Sequence, residues 1–246
     1  MALVHELEKS GNWLFRRRSW LPVVFIAAGI AALYLTNRQA IIFNLTPELL
    51  FLGVSLLGEA VRVYTVGHAA KNTSGRNTVA GQIADELNTT GIYSLVRHPL
   101  YIGNFLMWLG GPVLFVRSPV FLIIFILVYW LYYERIIFAE EQFLRKKFGD
   151  AYDIYSEKVR AVLPRIKGFV KPSLSFSLKS VLKREYNSFV NIFLIFTLLD
   201  LFRNYFLSER IYITPMWIYM TVPALIIWLV IRLIHKKTGL LKEDDR

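Results

Sequence analysis

The sequence contains no cysteine and little charge. Of its 246 residues only 19% are charged, whereas 55% are hydrophobic and 15% aromatic. The absence of cysteine excludes disulfide bonds, thiolate metal sites and cysteine nucleophiles. The low charge is more informative, because a typical soluble domain has about 25% charged residues. Together with a mean hydropathy of +0.42, it indicates a membrane protein.

Long apolar stretches support this interpretation. A helix needs about 20 apolar residues to cross roughly 30 Å of hydrocarbon. Four stretches approach that length without any charge, and two more carry charged residues inside them. We therefore predict an all-α, polytopic membrane protein with about six transmembrane helices. The predicted spans are residues 19–37, 49–66, 99–116 and 118–138, followed by a hairpin of two spans at 189–234.

The basic residues gather in alternate loops, as the positive-inside rule requires. This pattern predicts that both termini are cytoplasmic. The net charge of +11 is then a signal of topology, with some attraction to anionic lipid headgroups, and no nucleic-acid partner is predicted. The cytoplasmic side would hold Arg16, Arg17, Arg18, Lys71, Arg76, Arg97, residues 140–188 and the tail, whereas the opposite loops hold Arg38, Arg117 and Arg210.

Between and around the spans, the sequence predicts five further segments. Residues 1–18 form an amphipathic, interfacial lead-in, and residues 67–98 form a long polar connection of the kind that is often functional. The apolar spacing in 140–163 predicts a cytoplasmic helix. A linker at 167–188 and a tail at 235–246 complete the chain, so that residues 19–166 make up the core.

Two pairs of ionisable residues fall inside predicted spans, where charge is expensive and is a functional candidate by default. Glu59 and Arg62 are three residues apart, so they share a helix face and can pair. Because Arg62 lies about one turn from the predicted cytoplasmic surface, we expect a role for it in binding an anionic headgroup. Asp200 and Arg203 have the same spacing at the far end of their span, and we expect them to be structural.

A second concentration of polar residues, GIYSLVRHPLYIG, stands at the start of the third span. Pro99 biases His98 away from helical backbone, and therefore Arg97 and His98 should precede the helix. A polar ligand site and an interfacial anchor are both consistent with this segment. The adjacent Glu140 and Glu141 point in different directions on a helix, so one can face a site while the other is solvated. No metal site is predicted.

Taken in order, these motifs resemble a known family. GEAVR on a span, then GIYSLVRHPLYIG, a helical hairpin and EEQFLRKKFGDAYDIY before a proline are similar to the isoprenylcysteine carboxyl methyltransferase family of integral membrane methyltransferases, which includes phospholipid methyltransferases. The resemblance covers about residues 53–166. It implies an enzyme that takes S-adenosylmethionine from the cytoplasm and a lipid from the bilayer.

The resemblance also implies roles for particular residues. Arg62, with Glu59, would hold the acidic group of the substrate, Tyr93 would close the site and Glu140 would complete the catalytic set. A carboxylate or phosphate acceptor is already ionised, and therefore positioning dominates and no general base is needed. The implied cofactor-binding residues are Arg97, His98, Pro99, Tyr101, Gly103, Glu140 and Glu141.

The end of the chain departs from the family pattern, because about 80 residues follow Pro164 and include two predicted spans. The acceptor is therefore open: a lipid phosphate, such as that of lipid A, and the carboxylate of a prenylated cysteine are both candidates. An NADPH-dependent, sterol-type reductase and a non-catalytic lipid-binding protein also fit the sequence. We expect a bacterial inner membrane protein, or an endoplasmic reticulum protein if the source is eukaryotic, with a site that faces the cytoplasm.

Overall fold

The computed structural model describes residues 2–70, 73 and 82–243. Lys71 and Arg76, which the topology prediction used, and the last three residues of the predicted tail lie outside the described residues. The described part is built from eight α-helices and has no β-strand. The helices are α1 (Ala2–Arg17), α2 (Trp20–Leu35), α3 (Leu45–Gly67), α4 (Pro99–Trp108), α5 (Pro119–Phe148), α6 (Asp150–Lys158), α7 (Leu178–Ser208) and α8 (Pro215–Lys237).

The local sequence explains where several helices begin. The side chains of Asn44, Ser118 and Ser177 accept hydrogen bonds from backbone N–H groups in the first turns of α3, α5 and α7. Such caps satisfy donors that have no partner within the helix. Pro99 occupies the first position of α4, where the missing N–H of proline costs nothing.

Four helices are long and apolar enough to cross a membrane: α3, α5, α7 and α8. The pair α1 and α2, bent by 76°, would supply a fifth crossing if it is one span. Residues 99–116 do not form one regular helix, because α4 gives way to a π-helical turn at Leu109–Leu114 that contains Pro112. The predicted all-α membrane fold is confirmed, whereas the count of six spans and the cytoplasmic termini remain predictions.

Two of the expected segments have different bounds in the structure. Residues 140–163 are not a separate helix: α5 continues through Glu140 to Phe148, ends at Gly149 (φ 52°), and the shorter α6 follows. Residues 167–188 are not only a linker, since α7 begins at Leu178 behind the Ser177 cap. The prediction missed this start because the first turns of α7 are polar and charged.

Close helix contacts hold the bundle together around α3. At Gly58 an added Cβ would lie 2.5 Å from the carbonyl oxygen of Gly103, so α3 and α4 touch backbone to backbone. The same applies to α1 and α5, where a Cβ on Gly11 would lie 2.1 Å from the carbonyl oxygen of Arg135. Small residues permit this approach. Helix α7 packs against both α3 and α8.

A cluster of charged residues is buried inside the bundle near the N-terminal end of α3. Arg203 of α7 forms ion pairs with Glu48 of α3 and with Asp200, and all three side chains are fully buried. Asp200 also accepts a hydrogen bond of 2.6 Å from the backbone N–H of Thr214. Asp200 and Arg203 therefore join α7 to α3 and to the start of α8, in agreement with the structural role expected for them.

Candidate functional site

At the start of α4, a histidine is held between two carboxylates. The His98 ring is 6% exposed, and its Nε2 lies 3.1 Å from Oε1 of Glu141 while its Nδ1 lies 3.5 Å from Oε2 of Glu140. The hydroxyl of Tyr101 donates a hydrogen bond of 2.8 Å to the same Oε2 of Glu140. The ring of Tyr101 stacks on that of His98 at 5.7 Å. The structure thus brings together four residues that the sequence placed in the cofactor site.

This arrangement changes the acidity of the histidine. Burial disfavours the charged ring, but the hydrogen bonds and negative charge of Glu140 and Glu141 outweigh burial and raise the pKa of His98 to about 9. An opposite charge at this distance favours the ionised form of both partners. His98 is therefore a cation at neutral pH, and its ion pairs with Glu140 and Glu141 join the start of α4 to α5.

Arg97 has a different task in the structure. Its Nη2 lies 2.7 Å from Oε1 of Glu141, and its Nη1 donates to the backbone oxygen of Ser156 at 2.8 Å. Another bond from Nη1 reaches the backbone oxygen of Val159. These oxygens belong to the C-terminal end of α6, where carbonyls lack partners within the helix. Arg97 thus joins α6 to α5, because it binds Glu141 of α5 as well as the end of α6.

A cavity of about 70 Å³, which we call the small cavity, lies beside these residues. Arg97, His98, Pro99, Tyr101 and Glu140 line it. Glu140 is therefore the carboxylate that faces the site, whereas Glu141 holds Arg97 and His98. Further lining residues are Phe15 of α1, Glu86, Asn88, Tyr93, Phe143, Leu144, Tyr152 and Tyr155.

Tyr93 also lines the small cavity, and Tyr155 fixes its position. The hydroxyl of Tyr155 donates a hydrogen bond of 2.7 Å to the backbone oxygen of Tyr93. Burial raises the pKa of Tyr93, with a further rise from the charge of Glu140. The phenol therefore stays neutral at physiological pH and is a hydrogen-bond donor.

The predicted pair of Glu59 and Arg62 is not formed. Arg62 instead binds Glu185 of α7 with Nε at 2.9 Å and Nη2 at 3.0 Å, and its Nη1 donates to Oδ1 of Asn104 at 2.6 Å. Glu59 is 5% exposed, and its Oε2 has no hydrogen-bond partner among the residues that the structure describes. A carboxylate on the neighbouring helix α7 reaches the guanidinium in a two-pronged geometry that a side chain on the same helix does not achieve here.

Gly103 lies in the contact between α3 and α4 and is not among the lining residues of the small cavity. An added Cβ there would be 2.6 Å from Cγ of Arg62. The absence of a side chain at Gly103 therefore leaves room for the aliphatic part of Arg62.

A much larger cavity, of about 950 Å³, opens on the other side of Tyr101. We call it the large cavity. Arg62, Asn104, Tyr133 and Glu185 lie at its polar end. Its walls come from α2, α3, α4, the π-helical turn, α5, α7 and, through His235, α8. Much of the remaining lining is apolar: Pro22, Val23, Ile26, Val66, Met107, Trp108, Pro112, Ile192, Leu194, Ile195, Phe196 and Leu198.

Tyr101 and Leu100 line both cavities. The ring of Tyr101 packs at 4.7 Å against that of Tyr133, which lines the large cavity, while its hydroxyl binds Glu140 at the small one. The two cavities therefore share a wall that contains Tyr101 and Leu100. Such an arrangement suits a reaction between a polar molecule on one side and an amphiphile on the other.

Glu185 is a site residue that the sequence did not reveal. Lys183, Arg184 and Glu185 fall in the segment predicted as a linker, but they follow the Ser177 cap on the first turns of α7. The available signal was a capping serine followed by charges just before a long apolar span. No pattern within one segment shows that Glu185 would meet Arg62, because 123 residues separate them.

Comparison with known proteins agrees with this picture over the middle of the chain. Residues 49–151 match the family model described as phospholipid methyltransferase. A "Probable protein-S-isoprenylcysteine O-methyltransferase" of Oryza sativa subsp. indica is 35% identical over 112 residues, which is 46% of this chain and 58% of the relative. The "Protein-S-isoprenylcysteine O-methyltransferase" of Schizosaccharomyces pombe is 35% identical over 117 residues, 47% of this chain and 48% of the relative.

A third relative, of Saccharomyces cerevisiae, bears the same name and is 33% identical over 114 residues, 45% of this chain and 46% of its own. The chain thus spans about half the length of the curated relatives it matches. No solved structure matches the chain. These matches confirm the resemblance to the isoprenylcysteine carboxyl methyltransferase and phospholipid methyltransferase family, and the large cavity and α7 extend beyond the matched residues.

Proposed function

We propose that the chain is an integral membrane methyltransferase that transfers a methyl group from S-adenosylmethionine to an anionic oxygen of a membrane-embedded lipid substrate. The observation that carries the proposal is the meeting of the two cavities at Tyr101. One cavity is small and rich in carboxylates and tyrosines, and the other is large, mostly apolar and charged at one end. The matches to methyltransferases cover the helices that separate them.

The side chains around the small cavity suit S-adenosylmethionine. Carboxylates such as Glu86 and Glu140 are acceptors for ribose hydroxyls or an ammonium group, and the aromatic rings of Phe15, Tyr93 and Tyr155 offer faces for an adenine or a sulfonium cation. The cavity of about 70 Å³ is smaller than the roughly 300–1,000 Å³ of most ligand pockets. We therefore expect the lining side chains to separate when a complete cofactor binds.

The cofactor supplies an activated methyl group, and the residues of this chain supply position. Tyr101 and Tyr93 border the point where the cavities approach, and Glu140 orients Tyr101 through its hydrogen bond of 2.8 Å. Arg62 lies at the polar end of the large cavity, where its positive charge favours an oxyanion. Because that oxyanion is already ionised, alignment and exclusion of water account for the catalysis.

The acceptor has two candidates. The names of the relatives favour the carboxylate of an isoprenylated cysteine. The large cavity favours a bulkier amphiphile such as a phospholipid, and the phosphate of lipid A remains one instance of this class. In either case we place the site on the cytoplasmic side of the membrane, because S-adenosylmethionine is a cytoplasmic metabolite.

Labelled methyl transfer tests the proposal. Purified protein in detergent would be incubated with methyl-labelled S-adenosylmethionine and, in parallel, with a farnesylated cysteine or a total lipid extract. We expect label in one acceptor class, and mass spectrometry of that product should show one added CH2 unit. Calorimetry with S-adenosylhomocysteine and with NADPH provides the complementary measurement: binding of NADPH alone would refute the proposal in favour of a reductase.

A further inference from the structure

The large cavity owes much of its wall to parts of the chain outside residues 49–151. Arg18, Val23 and Ile26 come from the α1–α2 elbow and α2, and Lys183 to Leu198 come from α7. The match to the family model ends before α7 begins. Whatever these residues bind is therefore a property of this chain rather than of the matched segment.

The polar end of the large cavity carries an excess of positive charge. Four lining residues, Arg18, Arg62, Lys183 and Arg184, are basic, whereas Glu185 is the one acid among the lining residues that the structure describes. Glu185 is committed to Arg62, at 2.9 Å. The balance of the lining thus favours an oxyanion, which basic side chains bind through charge-assisted hydrogen bonds.

The remainder of the cavity suits an alkyl chain. Along α7 the lining runs from Lys183 through Ile192 and Ile195 to Leu198. At 1.5 Å per residue this stretch is roughly 22 Å long, which exceeds half the thickness of the hydrocarbon core of about 30 Å. Trp108 of α4 and Ile26 of α2 face the same space, so the apolar part has walls on several sides.

Two of the basic residues, Arg18 and Arg184, act electrostatically on residues that line the small cavity. Arg18 interacts electrostatically with Tyr101 and Glu140, and Arg184 interacts with Tyr93. An oxyanion bound between them would lie beside the wall that the two cavities share. This is the location at which the proposed reaction needs its acceptor oxygen.

We infer that α7 and the α1–α2 elbow form the binding site of an anionic amphiphile. Its oxyanion would lie among Arg18, Lys183 and Arg184, and its alkyl chain would extend along α7 toward Leu198 past Trp108. The inference assigns a role to the C-terminal hairpin. Its link to methyl transfer rests on the proposed function, whereas the binding itself does not.

Fluorescence quenching by brominated lipids tests the binding without any catalytic step. Purified full-length protein in mixed micelles would be titrated with three brominated-chain probes: phosphatidic acid, a stearate and phosphatidylcholine. We expect at least one anionic probe to quench Trp108 at about tenfold lower concentration than the zwitterionic probe. The Trp108→Phe variant should lose this component. Equal quenching by all three probes, or unchanged quenching in Trp108→Phe, would overturn the inference.

A matched pair of double variants then tests the residues. K183Q/R184Q should weaken quenching by the anionic probe about tenfold and leave phosphatidylcholine unaffected. K179Q/K236Q removes two exposed charges of the same hairpin that do not line the large cavity, and it should bind as the unmodified chain does. An equal effect of both pairs would show only general attraction between charges. If K183Q/R184Q does not fold, Lys183→Gln alone and the salt dependence of quenching decide the question.

These results separate the two proposals. If the anionic probes quench preferentially but no labelled methyl group is transferred, the proposed binding site stands and the proposed enzyme activity is rejected. If K183Q/R184Q still transfers methyl groups with an unchanged apparent affinity for the substrate, the proposed enzyme activity stands and this binding site is rejected. A comparison of the phosphatidic acid and stearate probes identifies whether phosphate or carboxylate is the preferred oxyanion.

Discussion

Helices α3 and α7 are joined by an ion pair at each end, and the two links differ in their surroundings. At the end sealed from the cavities, Arg203 lies with Glu48 and Asp200, and all three are fully buried. At the other end, Arg62 meets Glu185, but the Arg62 side chain is 18% exposed and lines the large cavity. Similar chemistry thus serves a packed interior in one place and an open space in the other.

The difference shows how to distinguish a structural ion pair from a functional one. Both arginines belong to membrane-spanning helices and both bind carboxylates, so residue type and spacing do not separate them. The distinction is whether a ligand has space beside the guanidinium. Removing one partner from a sealed pair leaves an unpaired buried charge, whereas removing a cavity-lining partner leaves room for water.

The strongest test of this comparison is Arg203→Met. It leaves Asp200 buried without its cation and leaves Glu48 with only Arg117, 3.2 Å away, so we expect a loss of about 3–5 kcal/mol of folding free energy. Thermal unfolding in detergent should show a much lower midpoint. Arg210→Ala, at an exposed position, is the control and should change little. A normal midpoint in Arg203→Met would mean that the sealed cluster does not hold α7 to α3.

The corresponding change at the cavity is Arg62→Ala. We expect turnover to fall about 100-fold, equivalent to about 2.7 kcal/mol of barrier, because the acceptor oxygen loses its alignment. The affinity for S-adenosylhomocysteine should stay within a few-fold of the original, since Arg62 does not line the small cavity. A collapse of that affinity would contradict the separation of the two sites.

A smaller effect is expected from Glu140→Gln, which keeps the shape of the side chain and removes its charge. The change weakens the interactions with His98 and Tyr101 at the small cavity. Affinity for S-adenosylhomocysteine should fall about tenfold, as for the loss of a charge-assisted hydrogen bond. Calorimetry measures it. An unaltered affinity and turnover would return Glu140 to a purely structural role.

The mildest test uses pH. Because the pKa of His98 is raised to about 9 from an ordinary value of about 6.5, its ionic contacts stabilise the fold fully below pH of about 6.5 and are lost as pH rises through about 9. The midpoint temperature of thermal unfolding should therefore decrease as the pH is raised from neutral to alkaline values. In His98→Gln the midpoint temperature should depend less on pH. A variant with the same slope as the original chain would assign the dependence to other groups.

The sequence predicted the helical class and part of the lining of the small cavity, because both depend on local patterns. Apolar runs reveal spans, and the segment around His98 reveals a helix start with polar residues in front of it. Arg97, His98, Tyr101, Glu140 and Glu141 do come together. Their roles as cofactor ligands remain predictions.

Local sequence patterns could not predict contacts between segments that are distant in the sequence. Spacing predicts that Arg62 pairs with Glu59, whereas the structure gives Arg62 a partner on α7. Gly103 lies against Arg62, a contact that the motif around His98 does not predict, and its role at the cofactor remains a prediction. In both cases a helix packed from elsewhere decides the outcome, and spacing within one helix carries no information about that neighbour.

The ring of Tyr101 separates the two cavities, and this position has a thermodynamic consequence. If a ligand in one cavity shifts the ring, it changes the free energy of binding in the other. Linkage requires the effect to be reciprocal: the factor by which the lipid alters cofactor affinity equals the factor by which the cofactor alters lipid affinity. A side chain shared in this way would thus make the two binding events cooperative, and dissociation constants measured for each ligand with and without the other would give the coupling free energy.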